Sequence, residues 1–200
     1  MKKLISVMMA VLMMISTATV TFATEPENKE VLTFEEFSAA VEEALAERGT
    51  TAQVDYVEPG VELTQEYLDY IIEIIETAPQ VAPVSQKTAE VITPRNVDLA
   101  ERTYTYYETL TAAGIPGFCE VKLTLVAKLF PNTGDLYGVK SLSSRESSGL
   151  LADSWNETNQ ETTEDYTSNT VDAVVEGYVK WSIDKVFVTT EHTITHTFDI

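Results

Sequence analysis

Cysteine is almost absent from this chain: Cys119 stands alone among 200 residues, so no intramolecular disulfide can form. Histidine is nearly as scarce, with only His192 and His196. Basic residues are few, 13 Lys and Arg against 32 Asp and Glu, for a formal net charge of −19. Affinity for phosphate backbones and for anionic lipid surfaces depends on clustered Lys and Arg, so nucleic acid and membrane surface are disfavoured as partners. Cations, basic proteins and neutral glycans stay open. With 44% hydrophobic residues the chain has material for a packed core and does not read as disordered.

Motifs of known chemistry are missing as well. No D-x-D-x-D-G calcium loop and no G-x-S-x-G elbow is found. The serines Ser141, Ser143, Ser144, Ser147 and Ser148 cluster, but read as a hydroxyl-rich exposed strand and turn. Asp153, Glu157, Glu161, Glu164 and Asp165 read as a solvated loop. Acidic residues are so numerous that no pair stands out as the two carboxylates of a glycosidase. The sequence therefore nominates no catalytic residue, no metal ligand and no cofactor.

One long apolar run is present, and it carries the strongest signal. Lys2 and Lys3 precede the uncharged stretch Leu4 to Ile15, and small and hydroxylated residues then lead to Thr21-Phe22-Ala23. This is the pattern of a bacterial secretory signal peptide over residues 1–23, with the mature chain expected to start at Thr24. An uncleaved anchor is the rival reading, since Leu4 to Ala23 approaches the roughly 20 residues of a spanning helix. No lipid-attachment cysteine follows the run and no LPxTG-like sequence occurs near Ile200. The expected outcome is a secreted, extracellular protein with no membrane association after signal removal. Its 11 basic and 32 acidic side chains give a net charge of −21 once Lys2 and Lys3 leave.

Residues 24–95 are acidic and helix-prone. Thr33 and Glu36 form a capping box, Phe34, Phe37, Val41, Ala44 and Leu45 follow helical spacing, and Gly49 supplies the stop. A second helix is predicted from about Thr64 to Thr77. Its apolar residues, among them Tyr67, Leu68, Ile71 and Ile75, cover more than one face and require burial. Pro79, Pro83 and Pro94 mark an extended linker with a boundary near Arg95.

Residues 96–200 alternate with the period of a strand. Cys119, Val121, Leu123, Leu125, Ala127 and Leu129 share one face, which places the thiol inside as a small hydrophobe. Val171, Ala173, Val175, Gly177, Val179, Trp181 and Ile183 share another, opposite Asp172, Glu176, Lys180 and Asp184. Ala100 to Leu110 and, less clearly, Leu136 to Ser147 alternate too. Turns are marked by Gly114-Ile115-Pro116-Gly117 and Pro131-Asn132-Thr133-Gly134-Asp135. Strands joined by short turns with no helix between them predict a mainly β, α+β protein: an antiparallel β-sandwich or open barrel preceded by two N-terminal helices.

His192 and His196 fall on one face of a strand with Val188, Ile194 and Phe198. At about 3.3 Å per residue they lie roughly 13 Å apart, too far to share one metal ion. Trp155 and Tyr166 stand outside the regular alternation and are expected to fold over a sheet edge or mouth.

Three functions fit these readings: a non-enzymatic extracellular domain binding a protein or glycan, a small secreted hydrolase, or a precursor in which residues 24–95 mask the β domain until proteolysis. Mass spectrometry of protein recovered from a bacterial culture supernatant separates the last from the others. A dominant species starting at Thr24 is expected, whereas one starting near Arg95 demonstrates processing in the linker.

Overall fold

Two four-stranded antiparallel sheets, each apolar on one face, fold against one another in the computed structural model, which describes residues 31–79, 86–90 and 99–200. The expected signal segment 1–23, Pro83, Pro94 and the boundary at Arg95 lie outside the described residues. Residues 31–200 form one compact unit. The protein is mainly β with two helices on its N-terminal side, and its sheets curl into a half-barrel, as the alternation predicts.

The elements run α1 (Phe34–Glu47), β1 (Ala52–Val57), α2 (Gln65–Thr77), β2 (Gln86–Glu90), β3 (Ala100–Leu110), β4 (Phe118–Leu129), β5 (Leu136–Leu150), β6 (Ala152–Asp165), β7 (Thr170–Ile183) and β8 (Val186–Asp199). One sheet has the order β1-β8-β7-β6 and the other β2-β3-β4-β5. The odd-numbered apolar residues of β4 and β7 point inward together: Val121, Leu123, Leu125, Ala127, Val171, Ala173, Val175 and Val179 are all fully buried.

Both helices start where capping chemistry dictates. The Thr33 hydroxyl accepts from the Glu36 amide at 3.2 Å while the Glu36 carboxylate accepts from the Thr33 amide at 2.9 Å. Thr64 caps α2 by accepting from the Tyr67 amide. Phe37, Val41 and Leu45 of α1 are buried against Leu68, Ile71 and Ile75 of α2. The apolar surplus of α2 is thereby explained: Ile72 and Ile74 also pack, partly buried, on the core.

Three strands depart from the sequence reading, the first being β2, which pairs antiparallel with β3 within the stretch expected to be a linker. Residues 52–57 form β1, which pairs with β8 and is bulged between Val54 and Tyr56; the bulge breaks the alternation that would have revealed it. The acidic run Asp153 to Asp165 is a strand, β6, and not a solvated loop. It is an edge strand, and Trp155 is its one fully inward-buried residue, so it lacks an apolar period.

Chain passes from one sheet to the other at Leu151, the single residue between β5 and β6, in a left-handed conformation with φ 58°. Side chains, not a backbone ladder, join these two strands. The Trp155 indole N–H donates to the Ser144 hydroxyl at 2.8 Å, and the Glu157 carboxylate accepts from the Ser144 amide at 3.0 Å. Further along, Glu164 accepts from the Val139 amide and Asn169 from the Leu136 amide.

Trp155 fits only because position 177 has no side chain. A Cβ built on Gly177 would stand 2.5 Å from the Trp155 ring and 2.6 Å from the Asn156 carbonyl oxygen. Gly177→Ala is therefore expected to destabilise the fold by about 1–3 kcal/mol through overpacking, read as a lowered midpoint in urea. Gly138→Ala, where a Cβ meets nothing within 4 Å, is the control and should leave that midpoint within about 0.5 kcal/mol of the parent.

Candidate functional site

The C-terminus of α1 turns the chain into a cleft. The Gly49 amide donates to the Ala46 carbonyl and the Thr50 amide to the Leu45 carbonyl, with Gly49 at φ +88°. This is a Schellman cap, which needs a residue free to enter the left-handed region. It delivers residues 50–53 straight into the start of β1. A hydrogen bond from the Val54 amide to the Glu42 carboxylate at 2.8 Å then holds β1 to α1.

The facing wall comes from the turn after β3. Gly114, at φ +87°, approaches the helices so closely that a Cβ there would lie 2.9 Å from Ile75 and 3.1 Å from Leu45. Ile115, beside it, is almost completely buried. Seating this turn on α1 and α2 fixes Thr111 and Ala112 opposite residues 49–53. Strand β8 supplies the floor, residues 189–192.

Together these segments enclose a cleft of about 660 Å³, within the size range of small-ligand sites. Five threonines line it, two with their hydroxyls already engaged, Thr189 donating to Asp55 and Thr190 bonded to Trp181 and His192; Gln53, Glu191 and His192 are the remaining polar side chains, and there is no Lys or Arg. Thr50 and Thr190 are buried, whereas Thr51, Gln53 and Glu191 are exposed.

His192 is held as a neutral imidazole. The Trp181 indole N–H donates to the Thr190 hydroxyl at 2.7 Å, and that hydroxyl lies 2.8 Å from His192 Nε2. An indole N–H can only donate, so the Thr190 hydroxyl accepts from it, while the direction of the Thr190–His192 bond follows the imidazole tautomer. Burial lowers the His192 pKa from its ordinary value. The Trp181 ring meets it edge-on at 6.4 Å.

A threonine hydroxyl beside a histidine has the outline of a nucleophile and its base. Thr190 is only 3% exposed, however, and is enclosed between indole and imidazole. No substrate carbonyl can reach it. The pair is part of the wall.

Of the other residues weighed from sequence, the structure brings none into the cleft. His196 shares the inward face of β8 with His192 but stacks on Tyr106 of β3, ring centroids 3.7 Å apart, with Phe198 edge-on at 4.6 Å. It joins the two sheets. Trp155 is 8% exposed over Gly177, and Tyr166 projects from the β6–β7 turn at 61% exposure. Cys119 is buried on the inner face of β4, and burial, with Glu146 and Glu120 nearby, pushes its thiol up to about 12. Ser144 and Glu157 are committed to the β5–β6 seam. Among the described residues no three His, Cys, Asp or Glu side chains are grouped to hold a metal ion, and no helix is long and apolar enough to cross a membrane.

The cleft itself escaped the sequence, because its three segments are separated by about sixty to eighty positions each and share no motif; the Gly49 stop signal is the single local hint. No protein-family model, curated protein or solved structure matches the chain.

The buried neutral His192 has a thermodynamic consequence. Its folded-state pKa lies below the ordinary 6.5, so between those two values the unfolded chain binds more protons, and stability falls as pH drops through that window. Urea midpoints measured from pH 7.5 down to 5 should decline more steeply for the parent than for His192→Gln. Equal slopes would show that His192 is not what acid attacks.

Proposed function

We propose that this protein is an exported bacterial binding domain that recognises neutral, hydroxyl-rich ligands, glycans foremost, in the threonine-lined cleft. The observation that carries the reading is the lining: hydroxyls, one amide, one carboxylate and one imidazole, with no Lys or Arg to attract an anion. Sugar hydroxyls donate and accept in equal measure, and threonine, glutamine and glutamate answer both needs. The net charge of −19 works in the same direction, repelling phosphorylated or sulfated ligands.

A small hydrolase has less support. Glycoside hydrolysis in the usual scheme takes two carboxylates across the scissile bond, and Glu191 is the only carboxylate lining this cleft. His192 faces a hydroxyl too enclosed to attack. The masked-precursor reading also loses ground. Residues 52–57 are a strand of the β1-β8-β7-β6 sheet, so cleavage near Arg95 with release of the N-terminal piece would strip β8 of one of its two partner strands.

Calorimetric titration of the exported protein with neutral oligosaccharides tests the proposal. Saturable binding is expected, weakened about fivefold by Gln53→Ala, the value of one neutral hydrogen bond near 1 kcal/mol. Chromatography of the same mixtures should recover the sugars intact. Cleavage of the sugar, or binding indifferent to Gln53, contradicts the reading.

A further inference from the structure

The ladder between β1 and β8 ends at Ala52 and Thr190. Beyond that point β8 is paired only with β7. Here the solvent face of the sheet carries two cross-strand pairs, Tyr178 opposite Glu191 and Glu176 opposite Thr193. The neighbouring strand β6 is irregular at the same level: its register shifts between Glu157 and Asn159, setting Thr158 out of the ladder. Bulge and cross-strand pairs enclose a second depression of about 270 Å³, and Glu191 and His192 line both it and the cleft.

Chemistry is continuous across that shared wall. The second depression adds the hydroxyls of Thr158 and Thr193, the Glu176 carboxylate and the half-exposed ring of Tyr178, again without Lys or Arg. Tyr178 offers a flat apolar face with a polar tip, the surface on which the C–H face of a pyranose stacks while its hydroxyls bond at the rim. Along β8, Thr189, Glu191 and Thr193 lie on one face and recur every two residues, at about 6.6 Å for a rise of about 3.3 Å each.

We infer that the cleft and this depression are consecutive subsites of one binding site, which takes a linear neutral oligosaccharide with one unit in the cleft and the next stacked on Tyr178, crossing the strand at Glu191. The assignment rests on the glycan reading of the cleft and adds to it the length of the ligand and the residue that measures it.

Titration with β-1,4-linked gluco-oligosaccharides and N-acetylglucosamine oligosaccharides, one to six units long, separates the two claims. Affinity should rise about tenfold from monomer to dimer and then level off. Tyr178→Ala should abolish that rise while leaving monomer affinity unchanged, and Tyr178→Phe should retain it. Gln53→Ala should weaken every length alike. Length-independent binding that Tyr178→Ala does not touch overturns the second subsite and leaves the cleft standing. Absence of binding by every sugar in both series overturns both.

Discussion

A missing side chain at one position governs how this molecule closes. The inward row of β7 is apolar from Val171 to Ile183 except at Gly177, and into that notch the Trp155 ring is laid. From there its N–H reaches Ser144 on β5, so that a residue of one sheet is bonded to a residue of the other across a seam with no backbone ladder. The half-barrel keeps its curvature because the notch, the ring and the hydroxyl are in line. Overfill the notch and the seam loses its anchor.

Two carboxylates on β6 and the amide of Asn169 in the turn after it complete that seam. Edge strands expose unpaired amides that invite pairing with other chains. Here Glu157, Glu164 and Asn169 accept from the amides of Ser144, Val139 and Leu136 on β5. Much of the acidic character of this region is thus spent on a structural task. Around the cleft, the Schellman turn at Gly49 and the close approach of Gly114 to Ile75 hold two loops apart. A single cleft remains between them because β1 stops at Ala52 and β8 continues.

What the sequence disclosed follows from which faces are buried. β4 and β7 carry apolar residues on one face and polar ones on the other, so their period of two is plain. The capping box of α1 is local and equally plain, and Thr33 and Glu36 are bonded as the spacing predicts. β1 was hidden by its bulge and β6 by its position at an edge, where one tryptophan does the packing and Glu, Asn and Thr do the rest. Tryptophan and histidine were legible as unusual residues, but their parts were not: Trp155 depends on the absence of a side chain in another strand, and His192 on a hydroxyl fixed by Trp181. The candidate site was the least legible feature of all, since Thr50, Thr111 and Thr190 meet only through the fold.

The central claim is that a threonine-lined cleft, continued across β8 to Tyr178 of β7, binds neutral glycans. Backbone amide shifts recorded by NMR during titration of the intact protein with a β-1,4-linked trisaccharide test it most directly. The account predicts perturbations concentrated in residues 49–53, 111–112, 176–178 and 189–193, with the Trp155 and Trp181 indole signals little changed. Shifts centred on the β5–β6 seam or on Tyr166, or a spectrum that does not respond, would contradict it.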